Sequence, residues 1–381
     1  MIPDKANPPL LLLVAGIQGA VGSTVAAAVT ALEAAPQRVT PYLTTAEAFT
    51  GLGPLAGMRV AGWDTRPIPF RDCIAARGVV PKDSIAILGQ RLDRIPVKTA
   101  PETEAGMSAQ VARLRADIRQ FMADAGTARA VLVNLLPAAC DPDFTACAGP
   151  EDIDPAAAAQ LPDLAYVAAA VREGVPVVNF TPNTVELPWV LAEAASRGVP
   201  VAGRDGKTGQ TFLKVVLASA FRARNLAVDG WYSTNILGNA DGRNLMDPGR
   251  CSGKLANKTH LLNEVLGYRV ENDAGEPTHT VRIDYYPPRG DAKEAWDVID
   301  LKGLFDMPMS IRINLQGRDS ILAAPMVVDL ARWVAALKDA GIGGAVPDLG
   351  FFFKKPVGQR PPVTFQEQTA RLAALGARCG F

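Results

Sequence analysis

The stretch LLLLVAGIQGAVGSTVAAAVTALEAA, residues 10–35, decides the fold class of this chain. Its apolar start predicts a short buried strand, glycines at 16, 19 and 22 predict a tight turn, and the alanine-rich end predicts a helix. This order is typical of a dinucleotide-binding turn, in which glycine lets a pyrophosphate approach the N-terminus of the helix. A tight turn without a ligand explains the same glycines about equally well, so the turn alone fixes no function.

Strands and helices alternate beyond this stretch. Apolar runs predict strands at 58–62, 130–136, 175–180 and 199–202, and periodicity near 3.6 residues predicts helices at 106–123, 163–173 and 187–197. The alternation predicts an α/β fold with a parallel, doubly wound sheet, whose ligands bind at the carboxyl ends of the strands.

Polar residues stand at several of these strand ends. Asp64 is a candidate for binding a ribose hydroxyl, but it lies about twice as far from the glycines as the usual spacing of about 20 residues, which requires an insertion near 44–54. A turn aspartate that caps a loop is a nearly equal alternative. Asn134 and Thr181 follow two further strands, where ordinary turn chemistry would also explain them.

Two polar runs then follow in the chain, AGRDGKTGQT at 202–211 and STNILGNADGRN at 233–244. The first run comes directly after an apolar strand and predicts a helix N-terminus, where free N–H groups and the helix dipole favour an anion such as phosphate. Lys254 and Lys258 come after the second run, four residues apart. If their segment is helical, the two lysines lie on one face of the helix, so they would contact the same ligand.

The pattern changes after residue 241. Strands with polar alternation are predicted at 279–286 and 309–315, separated by a polar segment at 289–300, which indicates a mostly antiparallel second layer. A helix is predicted at 320–338. For the two lysines that follow three phenylalanines, Lys354 and Lys355, a solvated end to a buried strand is the plainer interpretation.

Composition limits the partners. Lys plus Arg and Asp plus Glu number 39 each in 381 residues, which removes any general electrostatic argument for nucleic acid or an anionic membrane. The apolar run 10–15 is too short to span a bilayer, so we expect a cytoplasmic protein. The five cysteines are widely spaced and predict reduced thiols rather than disulfides or a zinc site. Only two histidines are present, so proton transfer would fall to other groups.

The chain resembles the myo-inositol-1-phosphate synthase (inositol-3-phosphate synthase) family in the order and spacing of nine motifs: GIQGAVGST, GWD, NFTPNT, AGRDGKTGQT, STNILGNADGRNL, SGKLANK, GDAK, RDSILAAP and FFFKKP. The resemblance implies a Rossmann-like domain at 1–240, completed by 320–381, with an inserted α+β catalytic and tetramerisation domain at 241–319. It also implies a homotetramer.

The activity implied by the resemblance is the NAD-dependent isomerisation of D-glucose 6-phosphate to 1D-myo-inositol 3-phosphate. In this family NAD⁺ oxidises C5, the ketone acidifies the C6 protons, an enolate attacks C1 in an intramolecular aldol closure, and NADH reduces the remaining ketone. The cofactor is regenerated in each turnover. Assistance by a divalent or monovalent cation is left open.

The motifs and the resemblance together give three groups of site residues. The catalytic group is Lys254, Lys258, Lys293, Lys354, Asp205 and Asp241. The cofactor group is Gly16, Ile17, Gln18, Gly19, Ala20, Val21, Gly22, Asp64, Asn134, Thr181, Asp205, Asn239 and Asp319. The substrate group is Thr208, Gly209, Gln210, Asn235, Leu237, Asn239, Lys258 and Lys293.

Three positions depart from the family pattern. Gln18 replaces a glycine of the turn, Thr208 replaces a serine and keeps its hydroxyl, and Ala240 replaces an asparagine amide. None removes a proposed catalytic group. Two other functions remain as alternatives: an NAD(P)-dependent dehydrogenase with net redox on a phosphorylated sugar, and a non-catalytic NAD-binding regulator. The intact lysine set favours the isomerase over both.

Overall fold

The protein is described by a computed structural model that covers residues 8–43, 51–52, 55–139, 142–238, 242–243 and 261–380. Internal contacts divide the chain into two compact units. The first comprises Met1–Gly206, Ala323–Pro361 and Arg371–Phe381, and the second comprises Lys207–Leu322 and Pro362–Ala370. The sequence predicts a boundary near residue 240, whereas the contacts divide the chain after Gly206, because the strand at Ala227–Leu237 hydrogen-bonds within the second sheet.

The first unit contains a seven-stranded parallel sheet in the order β11-β6-β5-β4-β1-β2-β3. Its strands are β1 Leu11–Ala15, β2 Arg59–Asp64, β3 Val97–Thr99, β4 Ala130–Asn134, β5 Val177–Asn179, β6 Pro200–Gly203 and β11 Gly344–Ala345. Ala15 pairs with both Trp63 and Asn134, so the carboxyl ends of these three strands lie side by side. The residues that follow them therefore share one edge of the sheet.

Helices flank both faces of this sheet. They are α1 Ala20–Ala34, α2 Phe70–Arg77, α3 Lys82–Leu88, α4 Gln90–Asp93, α5 Met107–Ala125, α6 Pro155–Ala158, α7 Asp163–Arg172 and α8 Pro188–Ser196. Alternate residues of β1 belong to two separate apolar cores: Leu12 and Val14 pack in one, and Leu11 and Leu13 pack in the other. A strand that is buried on both faces is the expected result of a doubly wound sheet.

The second unit contains a four-stranded sheet in the order β10-β9-β7-β8. The strands are β7 Ala227–Leu237, β8 His279–Tyr285, β9 Lys293–Lys302 and β10 Pro308–Gly317. β9 is antiparallel to β7 and to β10, whereas β7 and β8 are parallel. Helix α9, Gly209–Ala223, packs on this sheet through Val215, Ala218 and Phe221. Residues 261–266 are also helical.

Two helices have residues in both units. They are α10 Asp319–Asp339 and α11 Phe365–Arg378. By length and hydropathy, α10 could cross a membrane, but 72% of its apolar window is buried inside the protein. A core helix has the same composition.

The predicted fold class is confirmed: the chain is α/β with a doubly wound parallel sheet and a second, mostly antiparallel sheet. The structure contains one strand that the sequence pattern does not predict. β9 begins inside the segment 289–300, for which the sequence predicts a polar separation, and extends two residues beyond it; it is the strand that joins β7 to β10. Its acidic residues, three positions apart, do not follow the period of two that marks a half-buried strand, and two of them, Glu294 and Asp297, are buried.

Candidate functional site

The glycine turn connects β1 to α1 in the first unit. Gly16 has φ of +80°, a left-handed conformation that favours glycine, and a Cβ on Gly22 would lie 2.8 Å from the Cα of Ile17. Gly19 is the N-cap of α1 with extended backbone. The N–H groups of Ala20 and Val21 then open the first turn of the helix, where free amides suit an anion.

Asp64 ends β2, immediately beside this turn. One oxygen of its carboxylate accepts the N–H of Gln18 at 2.9 Å and the other accepts the N–H of Thr65 at 2.9 Å. Each oxygen keeps a further lone pair that can accept a ribose hydroxyl. The long sequence spacing is no obstacle in the structure, because β1 and β2 are adjacent parallel strands.

The Gln18 side chain is buried and used within the protein. Its Nε2 donates to the carbonyl of Ile68 at 2.7 Å, and its Oε1 accepts the N–H of Ile68 at 3.1 Å. The Gln18 carbonyl also accepts from Arg77 Nε at 3.0 Å. The glutamine that replaces glycine at this position therefore hydrogen-bonds the turn to the loop after β2.

Asn134 and Thr181 meet in a buried hydrogen-bond network at the ends of β4 and β5. Asn134 Nδ2 donates to Asp163 Oδ2 at 2.7 Å and to Asn179 Oδ1 at 3.1 Å, and Thr181 Oγ1 donates to Asn179 Oδ1 at 2.9 Å. Asn183 Nδ2 donates to the same Asp163 oxygen at 2.7 Å. Both predicted cofactor residues thus direct their side chains into the protein and hold this edge of the sheet in shape.

Two carboxyl groups in this region were not found from the sequence. Burial raises the pKa of Asp163, and hydrogen bonds from Asn134 and Asn183 oppose that shift. Burial also raises the pKa of Glu186, whose Oε1 accepts Asn179 Nδ2 at 2.9 Å. Both residues lie at or just before the start of a predicted helix, where an acidic residue is common because it interacts favourably with the helix dipole. Their unusual environment is therefore evident only from their burial in the structure.

Asp205 and Lys354 form an ion pair at the end of β6. Lys354 Nζ lies 2.6 Å from Asp205 Oδ1, and the Lys354 N–H donates to the Asp205 carbonyl at 2.8 Å. The Asp205 N–H donates to the Thr181 carbonyl at 2.8 Å. Asp205 has φ of +62°, an uncommon conformation for a residue other than glycine. Three predicted residues, Asp205, Thr181 and Lys354, are therefore gathered together.

Asp319 joins two predicted substrate residues in the second unit. Lys293 Nζ lies 3.2 Å from Asp319 Oδ2, and Thr208 Oγ1 donates to Asp319 Oδ1 at 3.4 Å. Thr208 is the N-cap of α9, and Gly209 begins the helix. The Lys293 ammonium group, the Thr208 hydroxyl and the N-terminus of α9 therefore lie close together. Groups of these three kinds commonly bind phosphate.

Asn235 and Leu237 lie near the end of β7. Both side-chain atoms of the Asn235 amide, Oδ1 and Nδ2, are buried and lack a hydrogen-bond partner within the described ranges. An unpaired buried amide is costly, and a bound ligand is one way of satisfying it. Leu237 is buried, and its carbonyl accepts the N–H of Tyr286 at 2.7 Å.

Gln210, a predicted substrate residue, uses its side chain within the protein. Its Nε2 donates to Asp297 Oδ2 at 2.8 Å, and the residue is 4% exposed. Its backbone N–H lies in the first turn of α9, where it can donate a hydrogen bond to an anion.

Four predicted site residues lie outside the described residues: Asn239, Asp241, Lys254 and Lys258. Their roles stay predictions, as does the effect of Ala240. Among the residues that the structure covers, no group of three or more His, Cys, Asp or Glu side chains could hold a metal ion. Cys73, Cys147 and Cys379 are free thiols.

Comparison with known proteins points to one family. A sequence model described as myo-inositol-1-phosphate synthase matches residues 209–320. Inositol-3-phosphate synthase 1 of Bacteroides thetaiotaomicron is 43% identical over 198 residues, which cover 51% of this chain and 46% of that protein. The aligned part thus spans about half the length of this curated relative.

Two solved structures have the same fold. Inositol-3-phosphate synthase from Caenorhabditis elegans gives a TM-score of 0.81 at 20% identity, covering 99% of this chain and 87% of the other. A myo-inositol-1-phosphate synthase-related protein from Thermotoga maritima gives 0.76 at 20% identity, covering 97% and 99%.

Fold and site together define an α/β protein with a Rossmann-like parallel sheet and a second unit in which a lysine of β9, a threonine hydroxyl and the N-terminus of α9 lie close together. The chain is similar to inositol-3-phosphate synthases in sequence and in structure, which confirms the resemblance drawn from its motifs.

Proposed function

We propose that this chain is an inositol-3-phosphate synthase that converts D-glucose 6-phosphate to 1D-myo-inositol 3-phosphate with bound NAD. The observation that carries the proposal is the cluster of Thr208, Lys293 and Asp319, because it falls within or beside the segment 209–320 that matches the family. A dehydrogenase fingerprint alone would not require this cluster.

NAD fits the glycine turn of the first unit. A side chain at Gly22 would collide with the turn itself, so the backbone stays open to a pyrophosphate at the N-terminus of α1. Asp64 supports binding of the ribose through its remaining lone pairs, as an acid at the end of β2 does in NAD-binding folds. When bound, NAD would supply reversible hydride acceptance at C5 of the sugar.

The substrate phosphate is proposed to bind at the start of α9. The N–H groups of Gly209, Gln210 and Thr211 precede the helix's own hydrogen bonds, and the helix dipole favours a dianion there. Lys293 adds a positive charge, and Thr208 adds a hydroxyl. The unpaired amide of Asn235 supports a polar ligand in the same unit.

Lysines are proposed to stabilise the oxyanions of the reaction. Lys354, oriented by Asp205, would hold the oxygen at C5 while that carbon becomes a ketone, and Lys293, oriented by Asp319, would lie near the phosphate and the closing ring. An ammonium group aimed at a developing alkoxide or enolate is commonly the largest single contribution to catalysis of this kind. Lys254 and Lys258 are proposed to complete the set.

The chemistry is redox-neutral. C5 is oxidised, a C6 proton is removed, the C6 carbon bonds to C1 while the C1 aldehyde becomes an alcohol, and the C5 ketone is reduced again. Substrate and product are isomers, so NAD should be required only in catalytic amount. The test is to incubate the protein with glucose 6-phosphate and NAD⁺ at one hundredth of the substrate concentration and to follow the phosphorylated product by ³¹P and ¹³C NMR.

Complete conversion to inositol phosphate at this ratio supports the proposal. Accumulation of NADH in step with product would instead indicate a dehydrogenase with net redox. Binding of NAD without turnover of glucose 6-phosphate would indicate a regulator.

Assembly and location are further proposals. We infer a cytoplasmic homotetramer, supported by free thiols at three described cysteines and by the exposed aromatic residues Tyr232 and Trp296, 44% and 49% exposed on neighbouring strands of the second sheet. Light scattering of a Tyr232→Glu, Trp296→Glu variant should give a smaller particle than the parent. Tyr42→Glu, at an exposed tyrosine of the first unit, is the matched control.

A further inference from the structure

A second buried polar network lies in the second unit, and no step proposed above uses its side chains. Its members come from α9, β7, β8 and β9, and each is less than 10% exposed. They are Gln210, Lys214, Trp231, Ser233, His279 and Asp297. Buried charges that are paired and fully hydrogen-bonded commonly fix one arrangement of a structure.

Asp297 is the centre of this network. Its Oδ2 accepts Gln210 Nε2 at 2.8 Å, and its Oδ1 accepts Trp231 Nε1 at 2.7 Å and Ser233 Oγ at 2.6 Å. Three donors on one carboxylate, contributed by α9 and β7, join the helix to the sheet. Only an acceptor at both oxygens can satisfy all three.

Lys214 supplies the opposite charge. Its Nζ lies 2.7 Å from His279 Nε2, 3.2 Å from Ser233 Oγ and 5.0 Å from the centre of the Trp231 ring. Burial lowers the pKa of Lys214 to about 8, and the charge of Asp297 opposes that shift. The Lys214 ammonium group therefore contacts buried protein groups rather than solvent.

Gln210 and Lys214 stand four residues apart on α9, on the same face of the helix. Both direct their polar ends towards the sheet, one to Asp297 and the other to Ser233 and His279. The first two turns of α9 are thus held at two points. The three N–H groups assigned above to the substrate phosphate are in the first of these turns.

We propose that Asp297 is a positioning residue for phosphate binding: through Gln210 it fixes the first turn of α9, so that the N–H groups of Gly209, Gln210 and Thr211 are already aligned for the phosphate. This inference rests on the proposed function. In this inference the Gln210 side chain anchors the helix, and its backbone N–H binds the phosphate.

The test measures the Kd of glucose 6-phosphate by calorimetry with the NAD-saturated protein. Asp297→Asn keeps the shape of the side chain but replaces one acceptor with a donor, so at least one of the three donors is left facing another donor. We expect the Kd for glucose 6-phosphate to rise at least tenfold, with the Kd for NAD unchanged within twofold. In turnover, KM should rise more than kcat falls.

Asp300→Asn is the matched control, because Asp300 is an exposed acid on the same strand. It should leave both Kd values unchanged. Gln210→Ala and the double variant Asp297→Asn, Gln210→Ala test the route of the effect. If Asp297 acts through Gln210, the double variant should bind glucose 6-phosphate within twofold of the weaker single variant. Effects that multiply would overturn the proposal.

If Asp297→Asn does not fold, the double variant Asp297→Asn, Lys214→Met is used instead. It removes the buried lysine cation together with the carboxylate that balances its charge. This double variant should fold and still bind glucose 6-phosphate at least tenfold more weakly. Parental affinity in a folded variant without Asp297 overturns the inference and leaves the proposed function intact. If the unmodified protein binds neither glucose 6-phosphate nor inorganic phosphate, the proposed function fails and this inference fails with it.

Discussion

Lys354 Nζ donates to Asp205 Oδ1 at 2.6 Å, although the two residues are 149 positions apart in the chain. Backbone hydrogen bonds align them: Arg204 N–H donates to the Lys355 carbonyl, and Lys354 N–H donates to the Asp205 carbonyl. The lysine is therefore held by its backbone as well as by its charge. A cation fixed in this way is prepared to meet an oxyanion without reorganising.

Replacement of Lys354 tests this arrangement. Lys354→Met keeps nearly the bulk of the side chain and removes the charge, so we expect the cyclisation rate to fall at least about a hundredfold, equivalent to roughly 3 kcal/mol of transition-state stabilisation. The fold and NAD affinity should persist. Steady-state turnover with glucose 6-phosphate measures the effect. Lys302→Met removes an exposed lysine paired with Asp229 and should retain the parental rate. A Lys354→Met rate within a few-fold of the parent would count against the assignment.

The glycine turn is tested at Gly19. This residue caps α1 with φ of −66° and ψ of 172°, a conformation that any residue adopts, and aspartate is a favourable N-cap. A Cβ at this position would lie 3.2 Å from the Gly16 carbonyl oxygen, a close contact that Gly19→Asp and Gly19→Asn share, but only Gly19→Asp places a negative charge against the pyrophosphate. We expect the NAD dissociation constant to rise at least about tenfold relative to Gly19→Asn, which has the same shape without the charge. Equal NADH fluorescence titrations for the two variants would exclude this placement of the cofactor.

Asp163 should matter for stability. Asp163→Ala removes the acceptor of Asn134 and Asn183, and each buried donor left without a partner costs about 1–3 kcal/mol. Asp163→Asn keeps one oxygen for these donors and should cost less. Urea unfolding midpoints distinguish the two, with Asp124→Ala on the exposed side of α5 as the control. Similar midpoints for parent and Asp163→Ala would show that the network adds little stability.

Lys207 predicts a pH dependence. Burial lowers its pKa to about 7, and its Nζ donates to Gln368 Oε1 at 2.6 Å. Below about pH 7 both folded and unfolded states hold the proton, so the full cost of the buried charge is present. Between about pH 7 and the unfolded pKa of about 10.4 the unfolded state binds more protons, so stability rises with pH by up to about 1.4 kcal/mol per unit for this group.

Lys207→Met removes that contribution. Its stability relative to the parent, measured by urea unfolding, should be greatest near pH 7 and should decline steadily towards pH 9.5. Lys82→Met, at an exposed position on α3, should show a constant difference. A constant difference for Lys207→Met as well would mean that this lysine does not change its protonation on unfolding in this range.

The sequence predicts the first unit well because its signals are local. A strand, a glycine turn and a helix within 25 residues specify β1 and α1, and the end of the next predicted strand locates Asp64, although its spacing from the glycines is about twice the usual one. The hydrogen-bond and ion-pair partners of a residue are not determined by the sequence near it. Nothing in the spacing of Asp205 and Lys354 reveals their ion pair, and nothing in the composition of β9 reveals that Asp297 faces inwards to three donors. Such residues are identified only when the fold supplies their neighbours.

The central claim is that this chain cyclises glucose 6-phosphate without net redox. The most direct measurement uses glucose 6-phosphate deuterated at C5, incubated with the protein and a catalytic amount of unlabelled NAD⁺, followed by mass spectrometry and ²H NMR of the product. We predict inositol phosphate that retains one deuterium at the original C5, because the same hydride is removed and returned within one turnover. Deuterium accumulating in NADH together with an oxidised sugar, or recovery of unchanged substrate, would contradict the claim.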